Sequence, residues 1–280
     1  MLRAAALGRS ARRRTAPWPA VGCVIVRDGA VVGEGATGEY PIGPHAEPAA
    51  LAAAGDRATG ATAYVTLEPC DHHGNTPPCT EALIAAGVTR VVIACADPDD
   101  RVAGRGEARL RAAGIEVTVG PGADVVARDL APYLHHRRTG RAFVTAKVAM
   151  SLDARVAAAD GTSQWITGEP ARADAHELRA DVQAVVVGSG TALADRPALT
   201  VRGVNDAPAR PPLRVVLDGR GHAGRLVAYV APVLLGTDGR AAFPVSGPPS
   251  LAAASRYRLA GTTPVGEDVR LEYDCEPVEA

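Results

Sequence analysis

The chain has 280 residues, 47% hydrophobic and 22% charged, with a net charge of −1. These values fit a globular protein of one large or two ordinary domains. They exclude a polyelectrolyte that binds nucleic acid or membrane through bulk charge, and no apolar run reaches the roughly 18 residues of a membrane-spanning helix.

In chain order, MLRAAALGRSARRR reads as a helix whose basic end, Arg12, Arg13 and Arg14, is solvated. Its apolar stretch is too short for a secretion signal. Residues 20–36 read as a hairpin turning at Asp28-Gly29. HAEPAALAAAG, 45–55, reads as a helix between Pro44 and Gly55. TAYVTLEP (62–69) is a predicted strand and TEALIAAG (80–87) a helix. Another strand (88–98), helix (106–114) and strand (115–120) follow. This alternation implies an α/β unit with a largely buried sheet.

Residues 123–142 read as one connecting helix running into a polar hinge. The boundary is placed there, giving domains 1–140 and 141–280. A second α/β pattern then begins: a strand at 142–152, a helix at 169–180, and strands at 182–190, 212–219 and 225–236. The five cysteines, Cys23, Cys70, Cys79, Cys95 and Cys275, are odd in number and sparse. They do not form a disulfide framework, and a reducing cytoplasm is the expected compartment.

His45, Cys70 and Cys79 supply an imidazole and two thiols, the donors that zinc favours in a tetrahedral site. Three protein ligands leave a fourth position open, as in catalytic zinc centres. Glu47, two residues after His45, is then explained as a proton carrier. H-x-E followed by P-C is the pattern of zinc nucleobase deaminases, in which the Glu is general acid and base. Eight residues separate Cys70 from Cys79, where two are usual in those enzymes.

TLEPCDHHGNTPPCTEALIAAGVTRVV, with PAVGCVIV, GPHAE, ADPDDRVAGRGEARLRAAGIEV and RAFVTAKVAMSLDARVAAADGTSQWITG, resembles the RibD/RibG family of bifunctional riboflavin-biosynthesis deaminase–reductases. The resemblance spans most of residues 15–220 and a tail, 225–280. It implies a cytidine-deaminase-like three-layer α/β/α domain followed by a dihydrofolate-reductase-like α/β domain. It also implies Zn2+ and NADPH as cofactors, a small pyrimidine substrate and a homodimer, with no nucleic-acid or membrane partner. His45, Cys70 and Cys79 take the zinc-ligand positions and Glu47 the catalytic one, while His72 and Asp97 match substrate contacts.

Other positions depart from the family pattern. Trp18 replaces an Asn that touches substrate, and offers a face for stacking on a planar ring. Gly38 replaces a His, and Asn75 replaces a basic residue whose loss removes a phosphate partner. Asp99 replaces an Asn and is expected to repel an anion. In the second half, Lys147, Asp153, Ser163, Trp165, Thr167 and Arg202 match reductase motifs, whereas Ala154 replaces a Gly and Arg196 an Asp. The text jumps near His222–Gly224 to the end of the family's domain, as if about 80 residues were missing. The family's glycine-rich cofactor turn has no counterpart beyond Gly188-Ser189-Gly190. A deaminase with a shortened reductase domain, doubtful in its use of NADPH, is the expectation.

Overall fold

A computed structural model describes the chain except residues 75, 218–224, 244–249, 251–253, 255 and 276–280. It separates into two compact units, 1–142 with 208–210, and 143–207 with 211–280. Among the described residues, no helix is long and apolar enough to cross a membrane.

The first unit is built on a five-stranded sheet of order β2-β1-β3-β4-β5. Its strands are β1 (Gly22–Arg27), β2 (Ala30–Ala36), β3 (Thr62–Leu67), β4 (Arg90–Cys95) and β5 (Glu116–Val119). β1 pairs antiparallel with β2 and β3, whereas β3, β4 and β5 run parallel. The hairpin turns where expected, with positive φ at both Asp28 (51°) and Gly29 (77°), which suits the twist of the flanking strands.

Six helices flank the sheet: α1 (Leu2–Thr15), α2 (Ala46–Ala54), α3 (Cys79–Ala85), α4 (Arg105–Ala112), α5 (Ala123–Asp129) and α6 (Ala131–Thr139). α2, α3 and α4 neighbour one another in turn, while α1 touches β1, β3 and α5, so two helical layers enclose the sheet. The single connecting helix expected at 123–142 is instead two short helices. The break falls at Leu130, with Pro132 in the first turn of α6, where its missing N–H does no harm.

α2 packs unusually close. Its stripe Ala46, Ala50 and Ala54 is buried at the helical spacing of four. A Cβ on Gly35 of β2 would lie 2.4 Å from Ala46 O, and one on Gly33 2.3 Å from Ala50 O. Small residues on both elements bring helix and sheet backbones into contact.

The second unit is less continuous. Its elements are β6 (Thr145–Ser151), β7 (Arg155–Ala157), α7 (Glu169–Ala180), β8 (Ala184–Gly188), α8 (Ser189–Asp195), β9 (Leu213–Leu217), β10 (Arg225–Ala231), β11 (Arg240–Ala241), β12 (Tyr257–Val265) and β13 (Asp268–Cys275). One sheet has the order β12-β13-β10-β6, with β10 and β6 parallel. The parallel pair β8–β9 stands apart from it. Ala171 and Ala175 of α7 pack on Val227 and Tyr229 of β10 to form the core. Tyr229 is fully buried, and its hydroxyl donates to Asp174 at 2.7 Å. Leu213 and Val216, on β9, are 70% and 56% exposed, unlike the two-sided burial usual in parallel sheets. Gly188-Ser189-Gly190 opens α8, a helix of 7 residues. The sequence jump at His222–Gly224 lies outside the described residues.

Candidate metal centre and its pocket

His45 is the N-cap of α2, Glu47 lies in that helix's first turn, and Cys79 begins α3. Cys70 follows β3 by way of Glu68 and Pro69. The start of two helices and the end of a central strand thus converge. His45 Nδ1 lies 3.2 Å from Cys79 Sγ and 3.6 Å from Cys70 Sγ, and all three donor atoms fall within 4.8 Å of one another. Neighbouring N and S ligands of a tetrahedral zinc stand about 3.6 Å apart, given Zn–N of about 2.0 Å and Zn–S of about 2.3 Å. The donor set fits zinc in both chemistry and spacing.

The Cys79 thiol and the His45 ring favour a Cys70 thiolate and hold its pKa well below the usual thiol range. The same contact and burial push Cys79 up, so the pair retains a proton that a cation would displace. The Cys79 backbone N–H also donates to Cys70 Sγ at 3.4 Å. His45 is raised, first by its bond to Cys70. Glu47 is 3% exposed, and burial lifts its carboxyl to about 6.

His45, Glu47 and Cys70 line a cavity of about 250 Å³. Of the expected substrate contacts, Trp18, His72, Asp97 and Asp99 also line it, while Asn75 lies outside the described residues. Trp18 stands edge-on to Tyr40, centroids 5.0 Å apart, and to His45 at 6.1 Å. His72 has a buried Nδ1 with no partner among the described residues. Asp97 accepts from Tyr133 Oη at 3.1 and 3.0 Å and from the Asp99 N–H at 2.9 Å. Burial raises its pKa. No side chain fits at Gly38, since a Cβ there would lie 2.7 Å from Gly43 Cα. The loop there is tight, packed glycine on glycine.

The repulsion expected of Asp99 is not what the structure holds. Both its oxygens accept from the Arg101 guanidinium, at 3.0 and 2.9 Å, and Arg137 lies 3.4 Å away. Arg101 first, then Arg137, holds the Asp99 carboxyl far below the ordinary range. The charge is more than balanced. Sequence reasoning missed Arg101, Arg137, Tyr133 and Glu68. Arg137 was hidden in what reads as a polar hinge. Glu68 lies inside the motif itself, but nothing in a single sequence distinguishes a buried acceptor from a solvated one.

In the second unit the expected residues fall in two places. Trp165, 69% exposed under the Arg172 guanidinium, and buried Thr167 line a second cavity beside Asp268. Lys147 reaches solvent on β6 with its ammonium 5.7 Å from the Tyr229 ring centroid. Desolvation, then Arg179, lowers its pKa. His176 accepts from the Arg202 N–H at 3.2 Å, and its pKa is lowered by burial and then by Arg179, Arg202 and Lys147. Lys147, His176, Arg179 and Arg202 therefore form one basic group, of which Arg179 and His176 were not foreseen. Ser163 is half-buried and lines neither cavity. Asp153 is spent on structure, accepting from Ser151 Oγ and from the N–H groups of Leu235 and Gly236. Arg196 ends α8 in a left-handed conformation, exposed.

Comparison with known proteins agrees with this geometry. Residues 1–95 match the cytidine and deoxycytidylate deaminase zinc-binding region, and residues 142–224 match the RibD C-terminal domain. Riboflavin biosynthesis protein RibD of Escherichia coli (strain K12) is 48% identical over 233 residues, covering 79% of this chain and 62% of that protein. RibD of Mycobacterium tuberculosis (strain H37Rv) is 52% identical over 209 residues, covering 74% and 61%. The chain thus spans about six tenths of the length of these curated relatives. Among solved structures, Acinetobacter baumannii RibD, form 1, superposes with a TM-score of 0.88 at 35% identity, covering 99% of this chain and 98% of that one. A Thermotoga maritima diaminohydroxyphosphoribosylaminopyrimidine deaminase/5-amino-6-(5-phosphoribosylamino)uracil reductase gives 0.87 at 28% identity, covering 99% and 97%.

Proposed function

The chain belongs to the RibD family, and from that premise we propose that it is a zinc-dependent hydrolytic deaminase of an aminopyrimidine. Diaminohydroxyphosphoribosylaminopyrimidine or a close analogue is the substrate class. The observation that carries the reading is the meeting of His45, Cys70 and Cys79 beside a cavity that His45, Cys70 and buried Glu47 line. His45 Nδ1 and the two sulfurs would hold the zinc, which when bound supplies Lewis-acid activation of water. Glu47 accepts a proton from the attacking water on a carboxylate oxygen and passes it to the ring nitrogen of the amidine, then carries the remaining hydroxyl proton to the departing amine nitrogen. The C–N bond of the amidine breaks, a carbonyl forms and ammonia leaves. A carboxyl lifted to about 6 suits both halves of that transfer near neutral pH. His72, with its unpartnered Nδ1, and Asp97 orient the ring, and Trp18 bounds it.

Residues 1–140 form the deaminase domain in this reading, and 141–280 a shortened reductase domain without activity. A structural match over 99% of the chain, beside a sequence match over 79%, supports taking β10–β13 as the far end of the family's domain. The separation of β8–β9 from the main sheet supports the loss of the units that would join them. The basic group at Lys147 keeps affinity for an anion, whereas hydride transfer also needs a cradle for the cofactor phosphates. The exposed apolar strand residues are covered in a homodimer, which sedimentation measures.

Glu47→Gln tests the deaminase. Ammonia release should fall by more than about 10²-fold with zinc content and secondary structure retained. Retention of more than a tenth of the activity would remove Glu47 from the mechanism. Titration of NADPH followed by fluorescence tests the second domain, and micromolar binding with oxidation of the cofactor would overturn its inactivity.

A further inference from the structure

Part of the cavity wall carries charge that proton transfer at Glu47 does not use. Asp99 lies on the loop after β4, with only 8% of its side chain exposed. Its Oδ1 accepts from the Arg101 N–H and Nε, both at 3.0 Å, and its Oδ2 accepts from Arg101 Nη2 at 2.9 Å. Arg137, from α6, brings Nε to 3.4 Å from the same Oδ2. It also lies over the Tyr133 ring at 5.3 Å from the centroid. One buried carboxylate thus grips two guanidiniums whose side chains remain 64% and 35% exposed. Asp99, Arg101, Tyr133 and Arg137 all line the cavity that holds the metal-ligand cluster.

The charge balance decides what this wall is for. Its three charges sum to +1, while the other acidic groups of the cavity are Glu47, Glu68 and Asp97. An anionic substituent entering the cavity is repelled by those three carboxylates and attracted where the two arginines stand. As a stability device the cluster is weak, because exposed ion pairs contribute little. As a binding device it is well made. A guanidinium has five N–H donors and matches a phosphate bidentately. Asp99 engages one edge of each arginine and leaves further N–H groups to a ligand. Arginines already held in place lose less entropy on binding.

We propose that Arg101 and Arg137, held in place by Asp99, are the subsite for the phosphate of a phosphorylated aminopyrimidine substrate. They replace the base absent at position 75. The proposal rests on the deaminase reading. Arg101 and Arg137 are contact residues in it, and Asp99 is a positioning residue.

The test uses the zinc-loaded full chain, with the phosphorylated aminopyrimidine riboside and the same compound after phosphatase treatment. Arg101→Gln and Arg137→Gln should each raise KM for the phosphorylated compound about tenfold to a hundredfold more than for the dephosphorylated one, the loss expected of a charge-assisted contact. Arg137→Lys should recover part of the loss, since the charge returns without the planar fork. Asp99→Asn should raise KM for the phosphorylated compound with little change in kcat. Equal effects on both compounds, or none, would overturn the subsite.

Inorganic phosphate, followed by 31P line broadening, gives a readout independent of turnover. Wild type should broaden the signal more than the Arg101→Gln/Arg137→Gln double variant, which keeps the basic group at Lys147 as a common background. Turnover by wild type with no such difference would leave the deaminase standing and the subsite refuted. A clear difference in a protein that deaminates neither compound would do the reverse.

Discussion

Glu68 should be the hidden brace of the pocket, and Glu68→Gln tests it. Its carboxylate is 4% exposed and accepts from three backbone N–H groups. Oε2 takes Asp97 at 3.3 Å and Gly104 at 3.1 Å, and Oε1 takes Glu107 at 3.2 Å. Gly104 is the N-cap of α4 and has no side chain with which to cap it, so Glu68 performs the capping from the segment just after β3. α4 in turn presses on the metal loop, since a Cβ at Gly106 would lie 2.0 Å from Pro69 O. A glutamine keeps one acceptor and turns its NH2 against a donor. In its better orientation it retains two bonds, now without charge, and loses the third. Bonds to a charged acceptor contribute about 1.5–3 kcal/mol and neutral ones about 0.5–1.5, so local opening of the α4 start should become easier by about 3 kcal/mol. With about 1.4 kcal/mol per factor of ten, amide exchange at Gly104 and Glu107 should accelerate roughly a hundredfold. Hydrogen exchange read by mass spectrometry on the peptide covering 97–110 measures it, with residues 22–36 as an internal control. Acceleration below about threefold in a folded variant would refute the brace.

Gly35→Ala should lower the thermal midpoint and zinc content together, because the new methyl meets the α2 backbone at 2.4 Å and displaces the helix that carries His45 and Glu47; overpacking of this kind costs about 1–3 kcal/mol. Ala154→Gly should act the other way. Ala154 sits at φ 58°, and relief of that conformation should stabilise the second unit by about 0.5–1 kcal/mol, read as a higher denaturant midpoint. Cys70→Ala should lose zinc measured by atomic absorption, from about one per chain, and full occupancy would remove Cys70 from the ligand set.

The deaminase site was largely legible in the sequence because its chemistry is carried by rare residue types. An imidazole, two thiols and a carboxylate at fixed spacing have few other uses, and the structure brings the three donors together beside a cavity that His45, Cys70 and Glu47 line. The surrounding charge was not legible. Asp99 on its own suggests repulsion of an anion, and only the fold shows Arg137, 38 positions later, closing on it from another helix. The break at Leu130 was missed because the apolar pattern continues across it while Pro132 restarts the helix. In the second unit the strands at 257–265 and 268–275 were not predicted. Their mixed polar and apolar residues read weakly, and their pairing depends on β10, far away in sequence.

The alanine bias of the sequence has a consequence for the metal ligands. A helix packed on a sheet through large side chains stands about 10 Å from it. α2 instead sits on β2 through Ala46, Ala50 and Ala54 against Gly33 and Gly35, backbone to backbone. His45, immediately before this stripe, is thereby carried down to Cys70, on the loop just after β3 of the same sheet. Larger residues on the stripe would lift His45 away from the sulfurs, and the separation of 3.6 Å leaves little room for it. The small apolar residues after His45 and Glu47 are thus part of the site. They set the depth at which an imidazole, entering from a helix, meets a thiolate on the loop that leaves the sheet.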